Sequence, residues 1–248
     1  MTDSLTFNSV DLSLYGLILN RSENNRTSFN RNTIQLDTRA FASRGKREAL
    51  QIDTDFTIIG TNLSDSQAKL ANIKRVLTTV ETGELIFDNM PDVYYNASLS
   101  QLDCQRLGHK DLIGTISFLC ADPYGYSTIE TDQTDNITTD PKAVTVTVGG
   151  SALTLPVYTL TAGGSLSGPI SVKNNDTGEE LVWDSSMVST DELEIDTEHW
   201  IVKKNGTASM TDVSGQFPRL LPGQDNHIVV TGFGTTGTLQ TVFRSRFI

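Results

Sequence analysis

Only one stretch of this chain repeats its apolar residues at helical spacing, and that constrains the fold more than any other feature. Between Ser64 and Thr82, Leu70, Ile73, Leu77 and Val80 recur at intervals of three and four, one stripe of an amphipathic helix. Ser64-x-x-Gln67 reads as a capping box that starts the helix, and Gly83 as the left-handed residue that ends it. Elsewhere the apolar residues come in short runs separated by glycine, proline and asparagine, the pattern of strands and turns. A 248-residue chain of this kind is expected to be mainly β, with its one helix (about 64–82) packed against a sheet.

The two halves read differently. In the first, residues 12–19, 48–59 and 84–87 read as strands, and 93–104 with 112–121 as an antiparallel pair. That pair ends on Phe118-Leu119-Cys120-Ala121-Asp122-Pro123-Tyr124-Gly125-Tyr126, where proline fixes φ and keeps Asp122 out of helix. A domain junction is therefore expected at Asp122, Pro123 and Tyr124, dividing the chain into 1–128 and 129–248. The first domain is expected to be β-sandwich-like with the helix added. Beyond it, residues 127–142 read as a linker or first edge strand. Short runs follow at 143–148, 152–160, 170–173, 180–183, 192–196, 199–203, 207–210, 227–231 and 238–247. Asn205-Gly206 is a two-residue hairpin signal, since both residues accept positive φ. This succession predicts an antiparallel β-sandwich or jelly roll.

Charge separates the halves as well. The formal net charge is −11; residues 1–128 hold 12 basic and 15 acidic residues, and 129–248 hold 7 and 15. Against that background Arg21, Arg26, Arg31, Arg39, Arg44, Lys46 and Arg47 face only Glu23 and Asp37, a local +5 over residues 21–47. An acidic chain repels nucleic-acid phosphate. A basic arm suits protein contact better, with Arg31, Arg39, Arg44, Lys46 and Arg47 as candidate contacts to an acidic neighbouring subunit. A solvated loop is the alternative. No apolar run is long enough to span a membrane. Met1-Thr2-Asp3-Ser4 lacks a basic n-region and an apolar h-region, so no secretory leader is expected. Cys104 and Cys120 lie on neighbouring candidate strands and are expected to be thiols.

Motifs of catalysis and cofactor binding fail on their context. Gly232-Phe233-Gly234-Thr235-Thr236-Gly237 matches the dinucleotide fingerprint, but a strand follows it instead of a helix, so a glycine-rich hairpin is expected. His109, His199 and His227 have no ligand-like spacing with one another or with the cysteines. The acidic stretch 130–136 lacks the ordered calcium loop, and no nucleophile elbow occurs. The expectation is no enzyme, no metal and no cofactor. Trp183 and Trp200 read as core aromatics, with a sugar-stacking platform as the alternative.

Together the halves resemble the distal tail protein of long-tailed, non-contractile bacteriophages of Gram-positive hosts. In the first half the resemblance rests on the helix, the strand pair 93–121 and its ending, Phe118 to Tyr126. In the second it rests on Asn175-Asp176-Thr177-Gly178, the strand 191–196, and Phe217-Pro218-Arg219-Leu220-Leu221-Pro222-Gly223-Gln224-Asp225-Asn226. The resemblance implies a hexameric ring built by residues 1–128, with 129–248 projecting as a galectin-like β-sandwich. It also implies a tail tube protein on one face, a tail-associated hub protein on the other, and receptor-binding or baseplate proteins at the periphery. DNA would pass through the channel without specific binding, no membrane would be involved, and the protein, made in the host cytoplasm, would reside in the virion. The alternative reading is a carbohydrate-binding module that recognises host cell-wall saccharide through Trp183 and Trp200.

Overall fold

In the computed structural model of the chain, the backbone is described for residues 4–26, 29–30, 33–36, 39–42 and 46–248, and side chains outside 21–47. Among the described residues the protein is mainly β-sheet with one α-helix, and it divides into two compact units, Met1–Tyr126 and Ser127–Ile248.

In the first unit the hydrogen-bonded strand order is Val10–Asp11, Leu5–Phe7, Gly83–Phe87, Met90–Leu107, Asp111–Cys120, Leu50–Ile58 and Leu17–Arg26. Neighbours are antiparallel throughout. The long strand Met90–Leu107 changes partner along its length: residues 94–97 pair with 83–86, and residues 98–107 pair with 111–119. A register shift between Leu99 and Gln101 lies just past the change-over, where an extra residue lets the strand bend. Strand alternation then fills one core. Leu50, Ile52, Thr54, Phe56 and Ile58 are buried along one strand, and Leu112, Ile116, Phe118 and Cys120 along its neighbour. Leu5, Phe7, Leu85 and Phe87 join the same core from the other ladder.

The helix, Leu63–Thr78, buries Ile73 and Leu77 in that core, with Leu63, Leu70, Val76 and Val80 packed half-buried against it. Each fully buried aliphatic side chain contributes roughly 1.5–3 kcal/mol, so the stripe fixes the helix in place. Its ends differ from expectation. Asn62, not Ser64, is the N-cap: its side chain accepts from Asp65 N at 3.0 Å, while the Asp65 carboxylate accepts from Thr61 N at 2.8 Å. This reciprocal pair closes the first turn ahead of Ser64. The helix ends at Thr78, and Gly83 is not its left-handed cap: it has no positive φ and belongs to the strand Gly83–Phe87, where a Cβ would sit 3.0 Å from the Phe7 ring. Residues 12–19 also divide: Leu12–Tyr15 is a 3-10 turn, capped by the Asp11 side chain, and the strand starts at Leu17. The two cysteines are free. Cys104 pairs with Gly114, which leaves Cys120 about 20 Å further along that strand and far beyond disulfide reach.

The second unit is an antiparallel β-sandwich. A six-stranded sheet runs Thr131–Asn136, Gly237–Phe243, Val157–Ala162, Glu192–Asp196, Ile201–Lys204, Thr207–Ala208. A five-stranded sheet runs Lys142–Val148, Gln224–Thr231, Ile170–Asn174, Glu180–Trp183, Val213–Gly215. Alternate residues of both sheets enter one core, among them Val144 and Val146, Leu193 and Ile195, Ile228 and Val230, Leu239 and Phe243, around Tyr158 and Trp183. Asn205 (φ 48°) and Gly206 (φ 76°) form the expected tight turn, in the conformation that suits the right-handed twist of the flanking strands. The Thr- and Asp-rich stretch supplies the edge strand Thr131–Asn136. Its Gln133 Nε2 donates across to Thr145 O at 2.9 Å, on the edge strand of the other sheet, and to Asp135 at 2.8 Å. A side-chain amide thus occupies a backbone acceptor that an edge strand otherwise offers to another chain.

Candidate assembly surfaces

The first unit leaves sheet edges uncovered. Among the described residues, 98–107 pair on one side only, because the ladder to 83–86 ends at Ala97. At the far end of the same four strands, Leu17–Arg26 pairs only with Leu50–Ile58. The edge at 98–107 borders a groove of about 600 Å³ beneath the helix, lined by Leu63, Leu70 and Leu102 with Lys74, Asp103 and Arg106. An added strand draws its affinity from main-chain hydrogen bonds along such an edge and its specificity from side-chain pockets beside it.

The arm is a hairpin in its described backbone. Phe29–Asn30 pairs with Lys46–Arg47, and Thr33–Leu36 with Arg39–Ala42, continuing the Leu17–Arg26 and Leu50–Ile58 pairing outward. The candidate contacts fall outside what is described: Arg31 and Arg44 entirely, and Arg39, Lys46 and Arg47 in their side chains.

At the Asp122-Pro123-Tyr124 turn, the Tyr126 hydroxyl donates to the Asp122 carboxylate, and the Tyr126 ring stacks on Tyr94 with centroids 5.6 Å apart. A Cβ on Gly125 would sit 2.7 Å from Val93 Cγ1, so glycine is needed for the turn to lie against strand Met90–Leu107.

In the second unit the two turn motifs of the sequence come together, a relationship the sequence reading missed. Asn174 and Asn226 are fully buried. Asn174 Nδ2 donates to Arg219 O at 2.6 Å and to Asn226 Oδ1 at 3.1 Å. Asn226 Oδ1 accepts from Leu221 N at 2.7 Å, and its Nδ2 donates to Leu221 O at 3.0 Å. The Glu179 carboxylate accepts from Arg219 N at 2.9 Å and Nε at 2.8 Å, and pairs with its guanidinium. Burial pushes the Glu179 carboxyl up, but the Arg219 hydrogen bonds and charge together outweigh it and hold it below the usual carboxylate range. Asp176 accepts from His227 N at 2.6 Å. These bonds latch the run 217–226 to the turn 174–179, and they are structural.

Chemistry-bearing arrangements resolve the same way. Among the described residues, no three His, Cys, Asp or Glu side chains group as a metal site. The amides of Gly232 and Gly234 donate to the Asp140 carboxylate at 2.9 and 3.0 Å, so a side chain occupies the donors a phosphate would need. Trp183 is fully buried, its Nε1 donating to Ser209 Oγ at 3.1 Å, which removes it as a sugar platform. Trp200, expected in the core, is instead 69% exposed. The last strand pair before the turn is Asp196 with Ile201, so Trp200 belongs to the loop and not to the strand, and its φ of 57° turns it outward.

Residues 149–247 match the family described as siphovirus-type tail component, C-terminal domain. The chain resembles a siphophage distal tail protein. The SPP1 Dit protein, described as a paradigm of the hub adsorption apparatus in phages infecting Gram-positive hosts, shares the fold. Its crystal structure superposes with a TM-score of 0.77 at 17% identity, covering 100% of both chains. The phage P2 baseplate in its activated conformation with Ca gives a TM-score of 0.47 at 11% identity, over 99% of this chain and 98% of that one. No curated protein matches the distal-tail-like chain in sequence. The family match lies wholly within the second unit.

Proposed function

We propose that this distal-tail-like chain is a ring-forming structural protein of a phage tail tip, its first unit closing a hexameric ring by joining copies edge to edge. One observation carries the reading: among the described residues, the four-stranded ladder of residues 98–107, 111–120, 50–58 and 17–26 has an uncovered edge at each end, and the two edges differ. Unlike edges join head to tail, and such a heterologous contact closes into a ring when the rotation per copy divides a full turn, about 60° for six copies. The fold shared with SPP1 Dit, itself described as part of a hub adsorption apparatus, supports this reading.

In this reading the ring joins the tail tube protein to the tail-associated hub protein, and DNA passes through without specific binding. The second unit projects as a galectin-like β-sandwich able to carry receptor-binding or baseplate proteins. The protein is made in the host cytoplasm and resides in the virion, and it catalyses no reaction. Negative-stain electron microscopy with mass photometry, on purified protein at moderate salt, tests the core of it. A six-fold ring with a central hole is expected; particles that stay monomeric at high concentration overturn it.

A further inference from the structure

We propose that Trp200 is the docking point for an arginine of the basic segment 21–47 of a second copy of this chain, a proposal that rests on the ring reading and names one of its contacts. Trp200 sits at φ 57°, a conformation bulky side chains rarely adopt. Its ring is 69% exposed, so burial within this chain does not compensate for that backbone. The loop under it is nonetheless fixed. Asp196 Oδ1 accepts from the amides of Glu198 and His199, both at 3.0 Å, and Oδ2 lies 2.8 Å from His199 Nδ1. An indole is therefore mounted, fully presented, on a pinned hairpin tip. Met210, also exposed, is tied to the returning strand: its sulfur accepts from Val202 N at 3.1 Å.

The surroundings select the occupant. The hairpin 192–204 carries Glu192, Glu194, Asp196 and Glu198 against Lys203 and Lys204, a net negative charge, and residues 129–248 hold 15 acidic against 7 basic residues. An exposed indole in a field of carboxylates is a receptor for a guanidinium, which stacks on the ring while its charge is balanced alongside. A saccharide needs uncommitted hydrogen-bonding groups. Here Asp196 already serves three donors, and Glu194 is paired with Lys203 at 2.6 Å. The chain holds one concentrated source of arginine, the +5 segment 21–47, of opposite sign to the surface that bears Trp200. Each copy supplies one arm and one indole, which matches a closed ring with no contact left over.

Iodide quenching of tryptophan emission in the full chain tests this, because Trp183 is buried and Trp200 supplies the quenchable fraction. On assembly, followed in parallel by mass photometry, that fraction is expected to fall several-fold and the emission to shift to the blue. Trp200→Ala should weaken assembly about tenfold, and R39E with R44E should restore quenching. Unchanged Trp183 emission in Trp200→Ala reports an intact fold. Rings that form with Trp200 still quenchable, or that form equally well in Trp200→Ala, overturn the proposal while leaving the ring reading intact. Protection already present in isolated monomers overturns it in favour of the chain's own arm. Glycan binding that requires Trp200, with assembly unaffected, overturns it in favour of a saccharide. Absence of any ring overturns both readings.

Discussion

Phe7 and Phe118 stack with ring centroids 5.8 Å apart and planes 30° from parallel, although their strands are not neighbours in the hydrogen-bonded order. Two strands lie between them, so a flat sheet would hold the two backbones about 14 Å apart. The sheet must turn back on itself, and Met90–Leu107 is the strand that carries it round. This contact closes the first unit, and Phe118→Ala should cost roughly 3–5 kcal/mol in urea unfolding. A double-mutant cycle with Phe7→Ala should show coupling of about 0.5–1.5 kcal/mol. Strict additivity would mean that the two rings do not act together.

The latch of the second unit makes a separate prediction. Replacing Asn226 with alanine takes the side-chain partner from Leu221 N and O and one of the two acceptors from Asn174 Nδ2, at a cost of about 1–3 kcal/mol. Limited proteolysis should then cut within residues 217–226, which the intact latch protects. Wild-type resistance in Asn226→Ala would show that the loop is held by packing alone.

Acid stability should depend on Asp191. Hydrogen bonds from the Asn205 side chain, from Val188 N and from Lys204 hold its carboxyl at about 2. A depressed carboxyl stabilises the fold above its ordinary value and loses that contribution as pH falls through the depressed one. Melting temperature should therefore drop more steeply between about pH 4 and pH 2 in the wild type than in Asp191→Asn. Parallel curves would dismiss the idea. His199 works with the opposite sign: its hydrogen bond to Asp196 raises its pKa, so that contribution is complete below the ordinary histidine value and fades as pH rises through the raised one.

Tyr158 is buried, and its hydroxyl finds no hydrogen-bond partner among the described residues; the same holds for Thr241, opposite it on the neighbouring strand. Burial, with the Glu179 charge added, raises the Tyr158 pKa and keeps the phenol neutral. Tyr158→Phe removes an unsatisfied group and should leave stability unchanged or raise it by up to about 1 kcal/mol in thermal melts. A clear loss would point to a bound water that the hydroxyl holds.

What the sequence made legible was local. The stripe Leu70, Ile73, Leu77 survives as the buried face of the helix because period alone encodes it, and Asn205-Gly206 because both backbones need positive φ. The helix ends were harder to read, since Asn62 and Ser64 compete as caps and the choice turns on how Asp65 reaches back to Thr61. The latch was hidden for a different reason: its bonds join residues such as Asn174 and Asn226, far apart in the chain, and no propensity encodes such a meeting. Trp200 was misread as core because Trp-Ile-Val looks like one strand, yet the strand begins only at Ile201.

The bond from Gln133 to Thr145 has a consequence for counting. A particle that must stop at a fixed number of subunits needs growth along one route and silence along every other. With one acceptor of its sandwich flank taken by an amide, the second unit offers an added strand one backbone group fewer there. In a ring read this way, the first unit would set the copy number.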